Sequence, residues 1–412
     1  MAWKANLQRA NGIVLTFPLA DYATSVPFEN EPAFVGVAIL VVTLVILYLF
    51  AASWFTGATF SHFTGVNATT VQSIALGVPT LYLVTILISL YRHNLFLELA
   101  GIASSVAMGF LNFASLAAAL CWPVWWLASL VGTADGGASI AWMLFGGSVP
   151  VAIFGLVNAL TLRVTTYDVV LPNLPAAWQD RRVAVVSDIH IGNIFGPRFV
   201  RKIVKQLNAL EPAAVFIPGD MFDGAVVGIA KAVKPWASCR APAGIYFVTG
   251  NHEEIRNRAP YLAALSAIGV TVLHNEKVVV DSLQIIGIHD AEAHRRTKLQ
   301  ELLMRAEIDC AGPSILLSHR PGRLDVAEKA GISLQVSGHT HAGQFFPFSF
   351  LVRMIYGRFG YGHHRHGALQ IVTSSGAGTG GPPFRVGTAT EIVIMQFRAG
   401  PDSVVSVRCT TP

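Results

Sequence analysis

Charge is what this chain of 412 residues has least of. Asp, Glu, Lys and Arg supply 13% of it, about half the share of an ordinary soluble domain. The shortage is local: between residues 32 and 162 only Arg92, Glu98 and Asp135 are charged, which excludes a water-facing domain there. Cysteine is scarce too. Cys121, Cys239, Cys310 and Cys409 sit at no ligand or redox spacing, which argues against a thiolate zinc site and against a disulfide framework, and suits a reducing compartment. The net charge of +5 contains no dense Lys/Arg run. Nucleic acid is therefore not expected as a partner, and the excess reads as mild attraction to anionic lipid or substrate.

Apolar residues make up 53% of the chain instead. A bilayer span needs about 20 of them to cross about 30 Å of hydrocarbon, and residues 33–55, 70–90 and 139–162 qualify. A fourth run, from 97 to about 130, reaches about 51 Å as one helix. Two spans and a turn would need more, so it counts as one over 97–122, with Pro123, Trp125 and Trp126 at its interfacial end. The chain thus divides into an N-terminal segment (1–32), a transmembrane four-helix anchor (33–162) and a soluble domain (163–412). The first span is too long and too far from Met1 for a signal peptide. Lys4, Arg9, Arg92 and Arg163 fall on one side of the four spans, while 56–68 and 131–138 carry no Lys or Arg. That asymmetry predicts a multi-pass inner (plasma) membrane protein with its soluble domain in the cytoplasm. A transporter would place ionisable groups inside the spans, and only Glu98 comes near one.

From residue 163 the pattern changes to short β-branched runs with polar loops between them. Strands are predicted at 183–187, 214–218, 245–249, 283–288, 314–318 and 334–337, with helices at 197–210, 260–268 and 297–306. Two late strands, 392–397 and 404–407, read as the closing edge of a sheet. The residues just past the strands carry the chemistry: Asp188-Ile-His190, Gly219-Asp220, Gly250-Asn-His-Glu253, Ser318-His319 and Gly338-His-Thr-His341. Strand ends of an open α/β sheet converge on one crevice. Carboxylates and imidazoles brought there suit divalent Mn, Fe or Zn. On extended backbone, Asp188 with His190 and His339 with His341 would leave the same face. Singly, each residue has a structural explanation: a cap for Asp188 or Asp220, a turn for Asn251, a buried histidine for His319. Their ordered recurrence at five strand ends is what favours a metal centre.

The ordered blocks DIH, GD, GNHE, SH and GHTHAGQ, with the tail SSGAGTGGPPFRVGTATEI, resemble the calcineurin-like metallophosphoesterases, in particular their bacterial membrane-associated branch. The resemblance spans about residues 165–397. It implies a four-layer α/β/β/α sandwich with two divalent ions, Mn favoured. Asp188, His190 and His341 would hold the first ion, Asp220 would bridge, and Asn251, His319 and His339 would hold the second. The ions would activate a bridging water for in-line attack on phosphorus, and His252 would be the catalytic imidazole that protonates the leaving oxygen. Ala342 departs from the glycine of many members but removes no ligand. A non-catalytic, membrane-tethered scaffold would show lost ligands, and every expected position is filled.

Asp223 and Asp290 are candidates to orient ligating histidines, or turn carboxylates. Arg256, Arg258 and Arg385 could meet substrate phosphate, or be solvated. His363, His364 and His366 read as a mobile loop rather than a further metal site. Residues 345–361, rich in Phe, Leu, Met and Tyr, are either core or an apolar lip on the bilayer whose Arg353 and Arg358 meet headgroup phosphate. An anchored site makes a phosphorylated, lipid-linked small molecule a plausible substrate. The resemblance also implies UDP-2,3-diacylglucosamine pyrophosphate hydrolysis in lipid A synthesis as one alternative.

Overall fold

The computed structural model describes residues 31–89, 94–224, 228–255 and 257–400. The segment before Glu31, with Lys4 and Arg9, the residues Arg92 and Arg256 and the expected strand at 404–407 lie outside them. Four helices open the fold: α1 (Glu31–Thr64), α2 (Ala68–Ser89), α3 (Leu95–Leu130) and α4 (Gly137–Ala159). All four are long and apolar enough to cross a membrane. The connection expected at 56–68 shrinks to a few residues. Nothing in Trp54–Thr64 breaks a helix, and Gly65 stops it at φ 71°, a conformation glycine adopts freely at helix ends. Asn94 caps α3, its side chain accepting from Leu97 N–H at 2.9 Å.

Hydroxyls join the helices where hydrocarbon offers no other partner: Thr56 donates to Ser115 Oγ at 2.8 Å, and Thr85 and Ser104 meet at 2.9 Å. At the end away from the soluble domain, His62, Phe63, Trp122 and Trp125 pack ring on ring, and Trp122 Nε1 donates to Thr59 Oγ1 at 3.0 Å. Phe60 and Trp142 join this aromatic layer, their centroids 5.2 Å apart.

The strands are β1 (Arg163–Leu171), β2 (Arg182–Val185), β3 (Ala214–Pro218), β4 (Ile245–Val248), β5 (Thr271–Val272), β6 (Glu276–Val280), β7 (Leu283–Gly287), β8 (Ser314–Leu317), β9 (Leu334–Ser337), β10 (Gly362–His366), β11 (Leu369–Thr373) and β12 (Glu391–Ala399). The helices among them are α5 (Pro197–Leu210), α6 (Ile229–Val233), α7 (Asn251–Glu254), α8 (Ala259–Ser266), α9 (Asp290–Ala293), α10 (Arg296–Arg305), α11 (Leu324–Lys329) and α12 (Phe348–Tyr356). They build two six-stranded sheets, ordered β1-β12-β2-β3-β4-β5 and β10-β11-β9-β8-β7-β6.

Alternation along the strands explains the layers. Val183, Phe216, Val248, Val393 and Met395 point to the space between the sheets, where Ile285, Leu317 and Val336 of the second sheet meet them. Their neighbours Ala184, Val215, Ile217, Ile392 and Ile394 face α5 and α8 on one outside. Ile286, Leu316 and Ile371 face α10 and α11 on the other. The four-layer α/β/β/α sandwich is the result.

Three expectations need correction. The late strand at 392–397 is not an edge, because β1 pairs with β12 in parallel from Arg163↔Glu391 onward and covers it. Its polar alternation (Arg163, Thr165, Tyr167) hid β1 from the sequence reading. The cluster His363, His364, His366 is no loop but strand β10, antiparallel to β11. Cys310 is disulfide-bonded while Cys121 and Cys239 are free, a pairing that scattered positions did not signal.

The domain is seated on the bundle. Phe345 and Phe384 pack with Phe113 of α3 and Ala152 of α4 in a small buried core. Asn158 donates to the carbonyls of Arg385 (2.9 Å) and Thr388 (2.8 Å), and Lys202 to that of Leu160 at 2.8 Å.

Candidate metal centre

The predicted ligands come from loops just past β2, β3, β4, β8 and β9. Their convergence has a different cause from the extended backbone expected. Asp188, His190, Asp220, His339 and His341 all take positive φ, between 50° and 72°, a region disfavoured for side chains with a Cβ. Each left-handed residue turns the chain sharply, so pairs two apart still aim at one centre. Two glycines allow the loops to touch: a Cβ on Gly250 would collide with the Asp220 carboxylate, and one on Gly338 with Ser187 and Asp188.

Three donor groups form, each with its atoms within 4.8 Å of one another: Asp188, His190 and His341; His190, Asp220 and His252; Asp220, His319 and His339. Asp220 belongs to the last two, and its Oδ2 lies 3.1 Å from His319 Nε2. Asn251 Oδ1 is also 3.1 Å from that nitrogen, which puts the amide in the same group. His190 Nε2 and His341 Nε2 face each other at 3.0 Å. His319 donates from Nδ1 to the Pro218 carbonyl at 2.8 Å, leaving Nε2 free to coordinate.

The donor chemistry fits divalent cations. Asp188 and Asp220 are 0% and 2% exposed, yet among the described residues no Lys or Arg pairs with either; their ionic neighbours are histidines. Buried carboxylates require compensating charge. Burial pulls the imidazoles of His190 and His319 down, but Asp223 and Asp220 lift His190 to about 9, and Asp220 lifts His319 to about 10. Burial and these charged neighbours hold His339 and His341 well below the usual range. Each outer donor group joins a buried carboxylate to imidazoles, a set that would suit one divalent cation apiece.

His252 is partly open, with 28% of its side chain exposed. Asp223 Oδ1 lies 3.5 Å from Nδ1 of both His252 and His190, so this carboxylate faces two rings at once. Asp290 does not face a ligand. Its carboxylate takes two hydrogen bonds from Arg320, at 2.9 and 2.8 Å. Arg258 pairs with Glu254 at 2.8 Å and Glu292 at 3.7 Å. Arg385 is fully buried and cannot reach a substrate: its guanidinium donates to the carbonyls of His341, Ser375 and Gly378, and so clamps the loop that bears His341. His363, His364 and His366 disperse to Gln370, the Tyr361 carbonyl and Glu328.

One residue escaped the sequence reading although it stands in the GNHE block. Glu253 is fully buried and accepts from the N–H groups of Asp220 (3.0 Å), Phe222 (2.9 Å) and Gly250 (2.7 Å). It ties two ligand loops together. Burial pushes its carboxyl up to about 8.

A two-sheet sandwich thus gathers carboxylates and imidazoles beyond its strand ends, a donor set suited to divalent cations. Residues 181–343 match the calcineurin-like phosphoesterase family model. An uncharacterized metallophosphoesterase of Helicobacter pylori is 33% identical over 223 residues, 53% of this chain and 60% of its own length. A transmembrane protein with metallophosphoesterase domain of Bos taurus is 31% identical over 268 residues, 61% of this chain and 60% of that one. An uncharacterized metallophosphoesterase of Aquifex aeolicus is 28% identical over 242 residues, covering 58% of this chain and 92% of its own. The chain thus spans about 60% of the length of the first two relatives.

Proposed function

We propose that this chain is a membrane-anchored, metal-dependent phosphohydrolase that cleaves a phosphodiester, phosphomonoester or pyrophosphate bond of a lipid-linked substrate. The observation that carries the lipid assignment is a cavity of about 350 Å³, within the usual range for ligand sites. Val45 and Leu49 of α1, Tyr82 of α2 and Met108 of α3 form one wall; Phe345, Phe348 and the candidate ligand His341 form the other. An apolar passage therefore runs from the anchor to the metal centre. Its depth is set by α3. Met108 precedes the Trp122 layer by 14 residues, about 21 Å of helix, and hydrocarbon is about 30 Å thick. The cavity opens among acyl chains, and α12 beside it exposes Phe350, Leu351, Met354 and Ile355.

Asp188, His190 and His341 would hold one cation, Asn251, His319 and His339 the other, and Asp220 would serve both; manganese is favoured. When bound, the pair would supply Lewis acidity toward phosphoryl oxygens and a water acidic enough to attack at neutral pH. The polypeptide does the rest. Glu253 and Arg385 fix the loops, Asp223 orients the His252 ring, and His252 delivers a proton to the leaving oxygen. We place the domain at the cytoplasmic face of the inner (plasma) membrane on the Lys/Arg asymmetry, although the Cys310 disulfide points to an oxidising side.

The test uses the full chain in nanodiscs with Mn²⁺, assayed on bis-p-nitrophenyl phosphate, p-nitrophenyl phosphate and UDP-diacylglucosamine. Metal-dependent turnover lost in His252→Ala is expected. Leu49→Trp, which fills the cavity, should spare the aryl esters and cut lipid-linked turnover at least about tenfold, the worth of roughly one buried side chain. Equal loss on both substrate types would remove the lipid assignment. Absence of bound metal would turn the reading toward a tethered scaffold.

A further inference from the structure

A second cleft, of about 700 Å³, also borders α12. Phe154 and Asn158 of α4, Arg163 at the head of β1, Val352 and Arg353 of α12, and Arg358 just beyond it line this space, joined by His364. No aspartate or glutamate does. The arginines meet neutral groups: Arg163 Nη2 donates to Asn158 Oδ1 at 2.8 Å, and Arg358 Nη2 to the Arg365 carbonyl at 2.9 Å. Among the described residues none of the three pairs with a carboxylate, and the guanidiniums leave most of their donors for a ligand. Three uncompensated positive charges in one cleft favour an anion.

Helix α4 sets the depth of each wall. Phe154 comes 12 residues after Trp142 of the aromatic layer, about 18 Å along the axis, and Ala159 lies about 26 Å from it. In hydrocarbon about 30 Å thick, Phe154 stands among acyl chains and Arg163, just past the helix end, at the headgroups. The exposed apolar face of α12 lies beside them, as in helices that rest in the membrane plane. The cleft is thus apolar toward the bilayer interior and basic toward its surface.

We infer that this cleft seats an anionic phospholipid, its phosphate held by Arg163, Arg353 and Arg358 and its acyl chain lying along Phe154 and Val352. Basic pockets at the ends of membrane helices have the chemistry for that headgroup. None of the candidate metal ligands lines this cleft, and the inference does not depend on the activity proposed above.

The test titrates the full chain in mild detergent with short-chain phosphatidylglycerol and, in parallel, phosphatidylcholine, reading occupancy by native mass spectrometry. Saturable binding of phosphatidylglycerol over phosphatidylcholine is expected. Removing each arginine should weaken it roughly fivefold, and Arg353→Gln with Arg358→Gln roughly 25-fold. Arg353→Lys with Arg358→Lys should keep most of it, and turnover of bis-p-nitrophenyl phosphate should be unchanged in every variant. Should the double glutamine variant fail to fold, Arg163→Gln, away from α12, supplies the same comparison. Equal affinity for the two lipids, or undiminished binding in the glutamine variants, would overturn the assignment. Displacement of the lipid by equimolar inorganic phosphate would also overturn it, by showing a site for soluble anions.

Discussion

Five candidate ligands hold left-handed backbone at φ between 50° and 72°, and each such residue costs about 1–2 kcal/mol. Strain of this kind persists where neighbours over-determine it, and Glu253, which accepts from the Asp220 N–H, is one such neighbour. In Glu253→Gln one carboxylate oxygen becomes an NH₂ that faces a backbone donor. We expect a loss of about 1–3 kcal/mol in denaturant-monitored stability, with weaker metal uptake by titration. His252→Ala should behave oppositely: metal content unchanged, rate down about 10²–10⁴-fold. Loss of metal from that variant would remove His252 from its role. His289 supplies a pH dependence independent of the ligands. It is buried, accepts from Thr249 N–H at 3.1 Å, and burial, helped by Arg258, drops it to about 3 from about 6.5. The unfolded chain therefore binds a proton that the folded one refuses, so stability falls as pH drops from about 6.5 toward 3. His289→Asn should flatten that part of a melting-temperature profile; an unaltered slope would contradict the assignment.

Among the elements, the strands that carry ligands were legible because their runs are mostly apolar and are followed by Gly, Asp or His. The amphipathic α5 and α10 were legible for the same periodic reason. What stayed hidden was context. β1 puts polar Thr165 and Tyr167 on the face it shares with buried Val169 and Leu171, and exposes Val164 and Val170 on the other, so no apolar run announced it, and without β1 the neighbouring β12 looked like an edge. The ligands were readable as residue types, whereas the left-handed turns that aim them were not, since Asp and His have no strong signature for positive φ. Arg385 read as a phosphate contact or a solvated arginine; only the fold shows carbonyls surrounding it. The composition of α12 fitted core and lip equally, and exposure of Phe346, Phe350 and Ile355, each above 50%, favours the lip. Phe350→Ser with Met354→Ser should lower lipid-linked turnover about tenfold, by removal of two half-buried contacts with acyl chains, while aryl phosphate turnover holds. Equal rates on both substrates would count against the lip.

For the molecule as a whole, the ends of α1 to α4 that touch the domain all lie on one side, so the sidedness of the domain and that of the bundle are one question. A maleimide that cannot cross membranes answers it. In a Cys239→Ser background, Lys231→Cys on exposed α6 should be labelled only after the membrane is opened if the domain is cytoplasmic. Labelling of intact cells would reverse the topology and agree with the Cys310 disulfide.

The Phe345–Phe384–Phe113 junction has a kinetic meaning. Because it seats the domain directly on the bundle, a substrate that used the Val45–Phe348 passage proposed above would not have to leave the membrane. Encounter then occurs by lateral diffusion in two dimensions, and saturation tracks the mole fraction of substrate among the lipids rather than its concentration in the aqueous volume. Diluting the substrate with inert lipid at constant total amount should slow the reaction, and diluting the same membranes with buffer should not.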